Sequence, residues 1–305
     1  MKILITGGAG YIGTELTYEL DKNPEVEQII IYDNLSRGNI NLFIGTQKLS
    51  NKIKFIQGDI LDSRLLKKTL KGVDVVYHLA ANVTTPFADQ NPHLFEQINH
   101  WGTAEVIYAV EESNVKKFIY TSSASVYGAS SKEVNKNTNP NPKTFYGISK
   151  LRGEEHVNRL LNKDMETYII RCGNIYGYSK SMRFDSVINK FMFEANYKNR
   201  IAIQGTGEQH RSFIHIDKTT NVLKELIFSN LPKGNYNLVE DNLSINYIVD
   251  NLKKLYPNLE TLFINQQLKL RELKVKPNMQ INALTNIPTR TLLEVLTVFK
   301  NEFTF

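Results

Sequence analysis

The 305-residue sequence predicts an α/β protein, in which a doubly wound parallel sheet is combined with a smaller mixed α/β lobe. Apolar runs alternate with helical patterns as far as about residue 173, which is the order of a sheet built from strand–helix–strand units. The run at residues 73–79 is almost entirely apolar, as expected for a strand covered by helices on both faces. Beyond Gly177 this alternation stops, and the shorter, irregular elements that follow predict the smaller lobe.

A glycine-rich turn follows the first predicted strand, at residues 2–6. The turn has the spacing Gly7-x-x-Gly10-x-x-Gly13 and leads into a helical pattern and a second strand at residues 29–32. Glycines let the backbone approach a pyrophosphate closely, and the following helix offers free amides and its positive dipole end. The order of elements therefore predicts a dinucleotide-binding site.

An acidic residue, Asp33, ends the second predicted strand. Its carboxylate can accept hydrogen bonds from both hydroxyls of a ribose and would repel a 2′-phosphate, which favours NAD over NADP. The nearby Arg37 could bind a 2′-phosphate, so it is the one feature that leaves NADP as an alternative cofactor.

Tyr146 and Lys150 lie four positions apart on a predicted helix, so they share one face of it. A phenol titrates near 10 in water, and a neighbouring ammonium lowers that pKa, which makes the pair suitable for moving a proton. A hydroxyl-rich segment that includes Ser123 ends the preceding predicted strand and can hold the same substrate hydroxyl.

The remaining pattern predicts further elements along the chain. Strands are predicted at residues 53–56, 118–121, 167–171, 201–204, 213–217 and 235–239, and helices at residues 63–71, 93–112, 220–228, 245–255 and 292–301. The helix that carries Tyr146 and Lys150 is predicted to end at about residue 162. Asp62 is the expected cap of the helix at residues 63–71. Asn99 and Gly102 lie inside the next one and lower its intrinsic stability, which is typical of a functional contact. His78 is predicted to be a buried, hydrogen-bonded core residue.

The composition and charge of the chain exclude several classes of function. Hydrophobic residues make up 41% of the chain and charged residues 22%, which is ordinary for a soluble protein. The net charge of +6 is dispersed, so we expect no nucleic-acid partner, and no apolar run reaches the roughly 18 residues of a membrane span. The single cysteine, Cys172, excludes an intramolecular disulfide and suits the cytoplasm. We assign no metal site.

Several motifs, taken together and in this order, resemble one family. The chain is similar over nearly its whole length to the extended short-chain dehydrogenase/reductases, specifically the NAD-dependent nucleotide-sugar epimerase/dehydratase group. The matching motifs are Gly7-x-x-Gly10-x-x-Gly13 with Asp33, Gly58-Asp59-Ile60, His78-Leu79-Ala80-Ala81, Asn99-x-x-Gly102-Thr103, Ser122-Ser123-x-Ser125-Val126-Tyr127-Gly128, Tyr146-x-x-x-Lys150, Arg171-x-x-Asn174-x-x-Gly177, Gly205-x-Gly207 and Arg211-x-Phe213-Ile214-His215-Ile216-Asp217.

The resemblance implies a Rossmann-type NAD-binding domain over residues 1–173 and a nucleotide-sugar-binding lobe over residues 174–305, with segments of the two interleaved. It also implies a homodimer formed through the helices at residues 93–112 and 147–162, which would make a four-helix bundle.

The resemblance also assigns roles. Tyr146 would be the catalytic base, Lys150 would hold the nicotinamide ribose and lower the tyrosine pKa, and Ser123 would bind the reacting sugar hydroxyl. The positions that match cofactor contacts are Gly7, Gly10, Tyr11, Ile12, Asp33, Asn34, Asp59, Ile60, Leu79, Ala80, Ala81, Asn99, Tyr146 and Lys150. The positions that match substrate contacts are Ser123, Asn174 and Arg211, together with Arg271, after which the usual acidic pattern is missing.

One departure from the family bears on the reaction. Dehydratases of the group resemble Thr-Asp-Glu-Val-Tyr-Gly and decarboxylases Thr-Ser-Glu-Val-Tyr-Gly, whereas this chain has Ser123-Ala124-Ser125 with no carboxylate. The expected activity is therefore that of a UDP-glucose 4-epimerase-like enzyme acting on a nucleotide-diphosphate sugar, in nucleotide-sugar or cell-surface polysaccharide metabolism.

Two further interpretations are open. Cys172-Gly173 replaces a bulkier aromatic pair, and Thr84 replaces a lysine, of many hexose 4-epimerases, which keeps open a nucleotide-sugar 4-dehydrogenase or 4-keto reductase. The second interpretation is a non-catalytic NAD-sensing or scaffold protein on the same fold. Such a protein would be expected to lose the tyrosine or the lysine, and this chain keeps both. The segment 180–185 is expected in the substrate crevice, where it would help to choose the sugar or the base.

Overall fold

The computed structural model describes residues 1–44, 48–83, 91–267 and 270–303. Thr84, at which the sequence departs from many epimerases, lies outside these ranges. Among the described residues, no helix is both long and apolar enough to cross a bilayer.

A seven-stranded sheet forms the centre of the molecule, and every neighbouring pair in it is parallel. Its strands are β1 (Lys2–Thr6), β2 (Gln28–Asp33), β3 (Ile53–Gln57), β4 (Val75–His78), β5 (Lys117–Ser123), β6 (Glu166–Cys172) and β10 (Gly234–Leu238). Their order is β3-β2-β1-β4-β5-β6-β10, so the chain reverses direction across the sheet between β1 and β4. Ligands of such sheets bind at the carboxyl ends of the strands beside this reversal.

Helices cover both faces of the sheet, as the apolar strands require. These are α1 (Tyr11–Asp21), α2 (Ser63–Thr69), α3 (Pro92–Phe95), α4 (Thr103–Glu111), α5 (Phe145–Leu161) and α7 (Ile216–Leu226). One apolar core contains side chains of α1 and α7, and the other contains side chains of α2, α4 and α5. The predicted fold class is confirmed.

A smaller lobe is built from two short sheets and further helices. The strands are β7 (Asn174–Tyr176), β8 (Arg200–Gln204), β9 (His210–His215), β11 (Asp241–Ser244) and β12 (Glu260–Ile264), and the helices are α6 (Val187–Lys198), α8 (Ile245–Leu255) and α10 (Leu292–Asn301). The short helix α9 (Met279–Asn282) packs instead on α7 and on β10 of the first sheet. The lobe has its own apolar core. Between its strands the chain returns to the first sheet, where α7 packs on α1 and β10 pairs with β6.

Local sequence rules predicted most element boundaries. The Asp62 side chain accepts the Leu65 amide at the start of α2, as a cap should, and α8 and α10 occupy the predicted residues. The long helix predicted at residues 93–112 differs, because its middle, Glu96–Gly102, is a π-helix with one extra residue per turn. The two residues that lower helix stability, Asn99 and Gly102, lie in this segment.

Candidate active site

A cleft of about 1330 Å³ lies between the carboxyl ends of the first sheet and the lobe. The glycine turn, the ends of β2 and β4, and the residues Tyr146 and Lys150 of α5 line it from the sheet side. The segment 180–187, together with residues of β8 and β9, lines it from the lobe side. The cleft therefore joins the predicted dinucleotide site to the predicted substrate lobe.

The glycine turn is shaped for close approach between backbone segments. Gly7 has φ +70°, and a Cβ atom there would lie 2.6 Å from the amide nitrogen of Ala80. Helix α1 begins at Gly10 with no side-chain cap and no acidic residue in its first turn. Its first amides and positive dipole end are available to an anion, which fits a pyrophosphate.

Two carboxylates, Asp33 at the end of β2 and Asp59 just after β3, lie where the ribose of a dinucleotide is expected. The Asp33 carboxylate accepts the amides of Ala9 and Leu35 at 3.1 Å and 2.8 Å, and Asp59 accepts Asn34 Nδ2 at 2.9 Å. Burial raises the pKa of Asp33, and the two amide hydrogen bonds lower it. Both carboxylates line the cleft, as do the predicted contact residues Ile12, Ile60, Leu79 and Ala81.

Tyr146 and Ser123 both line the cleft. Thr144 caps α5 by accepting the Gly147 amide, which fixes the first turn of the helix that carries the tyrosine. Burial raises the pKa of the Tyr146 phenol, whereas the Arg183 guanidinium, the Ser123 hydroxyl and Arg37 lower it. The phenol is thus a proton donor at neutral pH with cationic groups near it.

Lys150 lies one helical turn further along α5 and is 2% exposed. Its Nζ lies 4.2 Å from the centre of the Tyr120 ring, a cation–π contact. Burial lowers the pKa of Lys150 to about 7, and the carboxylate of Glu154 opposes this shift. The ammonium is consequently a titratable charge in the pH range of most enzymes.

A buried ion pair lies behind these residues. Glu154, on α5, is chelated by Arg171 Nε at 3.0 Å and Nη2 at 2.7 Å, and it accepts Ser122 Oγ at 2.5 Å. Arg171 Nη1 also donates to Tyr127 Oη at 3.0 Å. The network joins α5 to the ends of β5 and β6, so it fixes the distance between Lys150 and the serine-rich segment.

Asn99 lies in the π-helix and is fully buried. Its amide nitrogen donates to Asn82 O at 2.9 Å and to Ser149 Oγ at 3.0 Å, and its oxygen accepts the Asn82 amide at 2.8 Å. Asn99 therefore ties the loop after β4 to α5, and it does not line the cleft. His78 is buried between the hydroxyls of Thr6 and Thr103, which confirms its prediction as a satisfied core residue.

Arg183 enters the cleft from the lobe. Its guanidinium donates to Asp185 at 3.1 Å and 3.0 Å and to Val83 O at 3.1 Å. Burial lowers the pKa of Arg37, Arg183 lowers it further, and Asp185 opposes both. These charges therefore form one cluster near Tyr146.

Arg211 lines the lobe end of the cleft, whereas Arg271 is exposed and does not line it. Burial lowers the pKa of Arg211, and the charge of Arg271 lowers it further, with Glu272 opposing. Of the two arginines, Arg211 is therefore the one placed to contact a phosphate group in the cleft. Asn174, which pairs with Phe213 of β9, also lines the cleft, and its side-chain amide donates to Ser212 O at 3.0 Å.

Comparison with known proteins decides the family. The sequence profile described as the NAD dependent epimerase/dehydratase family matches residues 3–238, which is more than half of the chain. The protein belongs to this family.

Its relatives carry out more than one reaction. A putative UDP-glucose 4-epimerase of Methanocaldococcus jannaschii is 33% identical over 221 residues, which are 70% of this chain and 69% of the relative. A dTDP-D-glucose 4,6-dehydratase of Dictyostelium discoideum is 32% identical over 258 residues, covering 79% of this chain and 58% of that relative. A solved UDP-glucuronic acid 4-epimerase from Bacillus cereus, bound to UDP-glucuronic acid and NAD, superposes with a TM-score of 0.87 at 26% identity, covering 99% of this chain and 98% of that one.

NAD is the cofactor of this epimerase/dehydratase family, and the residues of the cleft fit it. The uncapped helix N-terminus and the Gly7 cradle suit the pyrophosphate, and the Asp33 carboxylate suits a ribose diol. Arg37 is close enough to Arg183 and Asp185 for their charges to act on its pKa.

Sequence reasoning assigned no role to two residues of this site, Glu154 and Arg171, which form its buried ion pair. An arginine in a largely apolar strand, with a glutamate four residues after Lys150, was the available signal for the pair. Arg183 belongs to the segment 180–185 that was expected in the crevice, but its charge near Tyr146 was not predicted. That position depends on how the lobe folds back onto the sheet.

Proposed function

We propose that this family member is a nucleotide-sugar 4-epimerase. The observation that carries the proposal is that Tyr146 and Ser123 line one cleft, in which positions 124 and 125 bear no carboxylate. When bound, NAD accepts a hydride from a sugar carbon and returns it. An epimerase needs, besides this, a group that removes and restores one hydroxyl proton.

The residues of the cleft would divide this work. Tyr146 would take the proton from the sugar 4-hydroxyl and give it back, and Ser123 would orient that hydroxyl. Arg183 and Arg37 would contribute the positive charge that favours the phenolate. Lys150, whose ammonium lies over the Tyr120 ring, would hold the nicotinamide ribose. Arg211 would hold the diphosphate as a tether, about which the 4-keto sugar turns to present its other face.

The carboxylates of the cleft argue against dehydration. Among the cleft-lining residues described by the structure, they are Asp33, Asp59 and Asp185. The first two are engaged at the ribose end by main-chain amides or by Asn34. Burial alone would raise the pKa of Asp185, but the hydrogen bond and charge of Arg183 hold it below its usual range. A general acid for the loss of a hydroxyl needs a higher pKa than this.

The alternative is a nucleotide-sugar 4-dehydrogenase or 4-keto reductase. One of its two supports was the replacement of an aromatic pair by Cys172-Gly173. A Cβ atom at Gly173 would lie 2.9 Å from Ser212 O, so packing of β9 against this turn accounts for the glycine without reference to the reaction. This removes weight from the alternative.

The test is to incubate the purified protein, without added reductant, with UDP-, GDP-, dTDP- and CDP-hexoses. NMR would report the product configuration, and absorbance would report NADH. A sugar inverted at C4 with no lasting NADH supports the proposal and identifies the substrate. Accumulated NADH with a keto sugar would assign the dehydrogenase, and a dehydrated sugar would overturn both. Tyr146→Phe serves as the inactive control.

We also propose a homodimer in the cytoplasm. The π-helix, α4 and α5 expose large apolar side chains, namely Trp101, Tyr108 and Phe145. Burial of such side chains against a second copy is a common reason for their exposure. Trp101→Glu is expected to convert a dimer into a monomer in sedimentation equilibrium, and an unchanged mass would contradict this interface.

A further inference from the structure

Residues 177–185 form a strap between the lobe and the NAD-binding sheet. The strap begins after β7, ends before α6, and lines the same cleft as the glycine turn. Its contacts with the sheet side are hydrogen bonds from several separate elements.

Helix α1 holds the first half of the strap. Tyr11 Oη donates to Gly177 O at 2.6 Å, and Thr14 Oγ1 donates to Ser181 Oγ at 2.7 Å. Ser181 is 4% exposed, so this contact is shielded from water.

The segments that follow β2 and β4 hold the strap from two sides. After β2, Asn41 Nδ2 donates to Lys180 O at 2.6 Å, and Ser181 Oγ donates to Asn39 Oδ1 at 3.2 Å. After β4, Val83 O accepts Arg183 Nη2 at 3.1 Å.

The order of the strands indicates where the strap lies. Strand β1 lies between β2 and β4, and the strap is hydrogen-bonded to the segments that follow both of these strands. It therefore passes across the glycine turn that ends β1. This turn and helix α1 are the part of the cleft that fits the pyrophosphate of NAD. The strap therefore crosses the path by which a dinucleotide would leave.

We propose that Asn41, Ser181 and Arg183 are latch residues that close the strap over bound NAD, so that release requires these hydrogen bonds to break. The inference rests on the proposed function in one respect: a trapped cofactor suits a reaction that returns its hydride. A dehydrogenase must instead exchange NADH for NAD in every cycle, and a closed strap would slow it.

The test measures cofactor release without any sugar. The protein is loaded with radiolabelled NAD, chased with excess unlabelled NAD, and filtered at intervals. One neutral hydrogen bond corresponds to about fivefold in rate, so Asn41→Ala is expected to release NAD about fivefold faster and Asn41→Ala/Ser181→Ala at least tenfold faster. Ser130→Ala, which removes a hydroxyl bonded to Lys132 O in an exposed loop, is the matched control.

Asn41 is only partly buried, so we expect the single variant Asn41→Ala to fold. It keeps the test valid if the double variant folds poorly. Thermal unfolding of both variants checks that they are folded. Release rates equal to wild type in Asn41→Ala would overturn the latch. If the enzyme epimerises sugars at C4 but releases NAD quickly, with no effect of the Asn41 and Ser181 substitutions, only the strap proposal is refuted. Slow, latch-dependent release with no epimerisation would refute the proposed function alone.

Discussion

The Arg183 guanidinium, from the lobe, is the charge that most lowers the pKa of the Tyr146 phenol, from the NAD-binding sheet. The Lys150 ammonium, one turn from the tyrosine, lies instead over the Tyr120 ring. The pKa of Tyr146, the proposed base, therefore depends on a residue of the strap.

Replacing Tyr146 tests the proton transfer. Tyr146→Phe is expected to bind NAD as wild type does and to lose about 10²–10⁴ in kcat, the usual contribution of a positioned acid or base. Bound NAD would be measured chromatographically after denaturation, and kcat with the sugar found in the panel. Tyr247→Phe, at an exposed tyrosine of α8, is the control. A near-normal rate in Tyr146→Phe would remove the residue from this role.

Burial of Lys150 predicts a stability that depends on pH. The folded-state pKa of about 7 is below the ordinary lysine value of about 10.4, so the unfolded chain binds more protons between these values and stability rises with pH there. The cost of burying the charge is full below pH 7 and shrinks towards pH 10.4. Lys150→Met is therefore expected to be stabilising, more at pH 6.5 than at pH 9, and inactive.

The measurement is the thermal midpoint of Lys150→Met and wild type at both pH values. Lys253→Met, at an exposed position of α8, controls for the loss of a charge. An equal shift at the two pH values would contradict a depressed lysine pKa.

The buried pair of Glu154 and Arg171 is expected to matter far more than an exposed one. Glu154→Gln leaves a buried guanidinium without its counter-charge, which costs about 3–5 kcal/mol. Glu260→Gln breaks the exposed pair with Arg200 and should cost less than about 1 kcal/mol. Urea unfolding of both variants gives the comparison, and equal losses would show that the buried network is not a fixed support.

Gly7 and Gly72 separate two effects of a glycine. Both have φ +70°, but a Cβ atom at Gly7 would strike the Ala80 main chain, whereas nothing lies within 4 Å of one at Gly72. Gly72→Ala is expected to cost only the backbone strain, about 1–2 kcal/mol, and to keep NAD binding. Gly7→Ala is expected to abolish NAD binding, as measured by calorimetry, and retention of binding would show that the cradle can yield.

The sequence predicted what depends on near neighbours. The glycine turn, the Asp62 cap and the pair Tyr146–Lys150 follow from local spacing and were found in the expected elements. The π-helix around Asn99 was not predicted, because its extra residue is stabilised by contacts with Asn82 and Ser149 from other elements. The places of Arg183 and Arg271 also depend on tertiary folding, and hence sequence could only nominate the segments that carry them.

The strand β10 gives the sheet an unusual history during synthesis. Strand β6 leaves the ribosome with one hydrogen-bonding edge open, and residues 174–233 must follow before β10 can close it. Pairing in the lobe is delayed in the same way, because β8 pairs with β12, which is synthesised about 60 residues later. An N-terminal fragment ending at residue 173 would keep a sticky parallel edge, a known route to aggregation. The open edge of β6 is therefore exposed in the nascent chain until β10 has been synthesised and has paired with it.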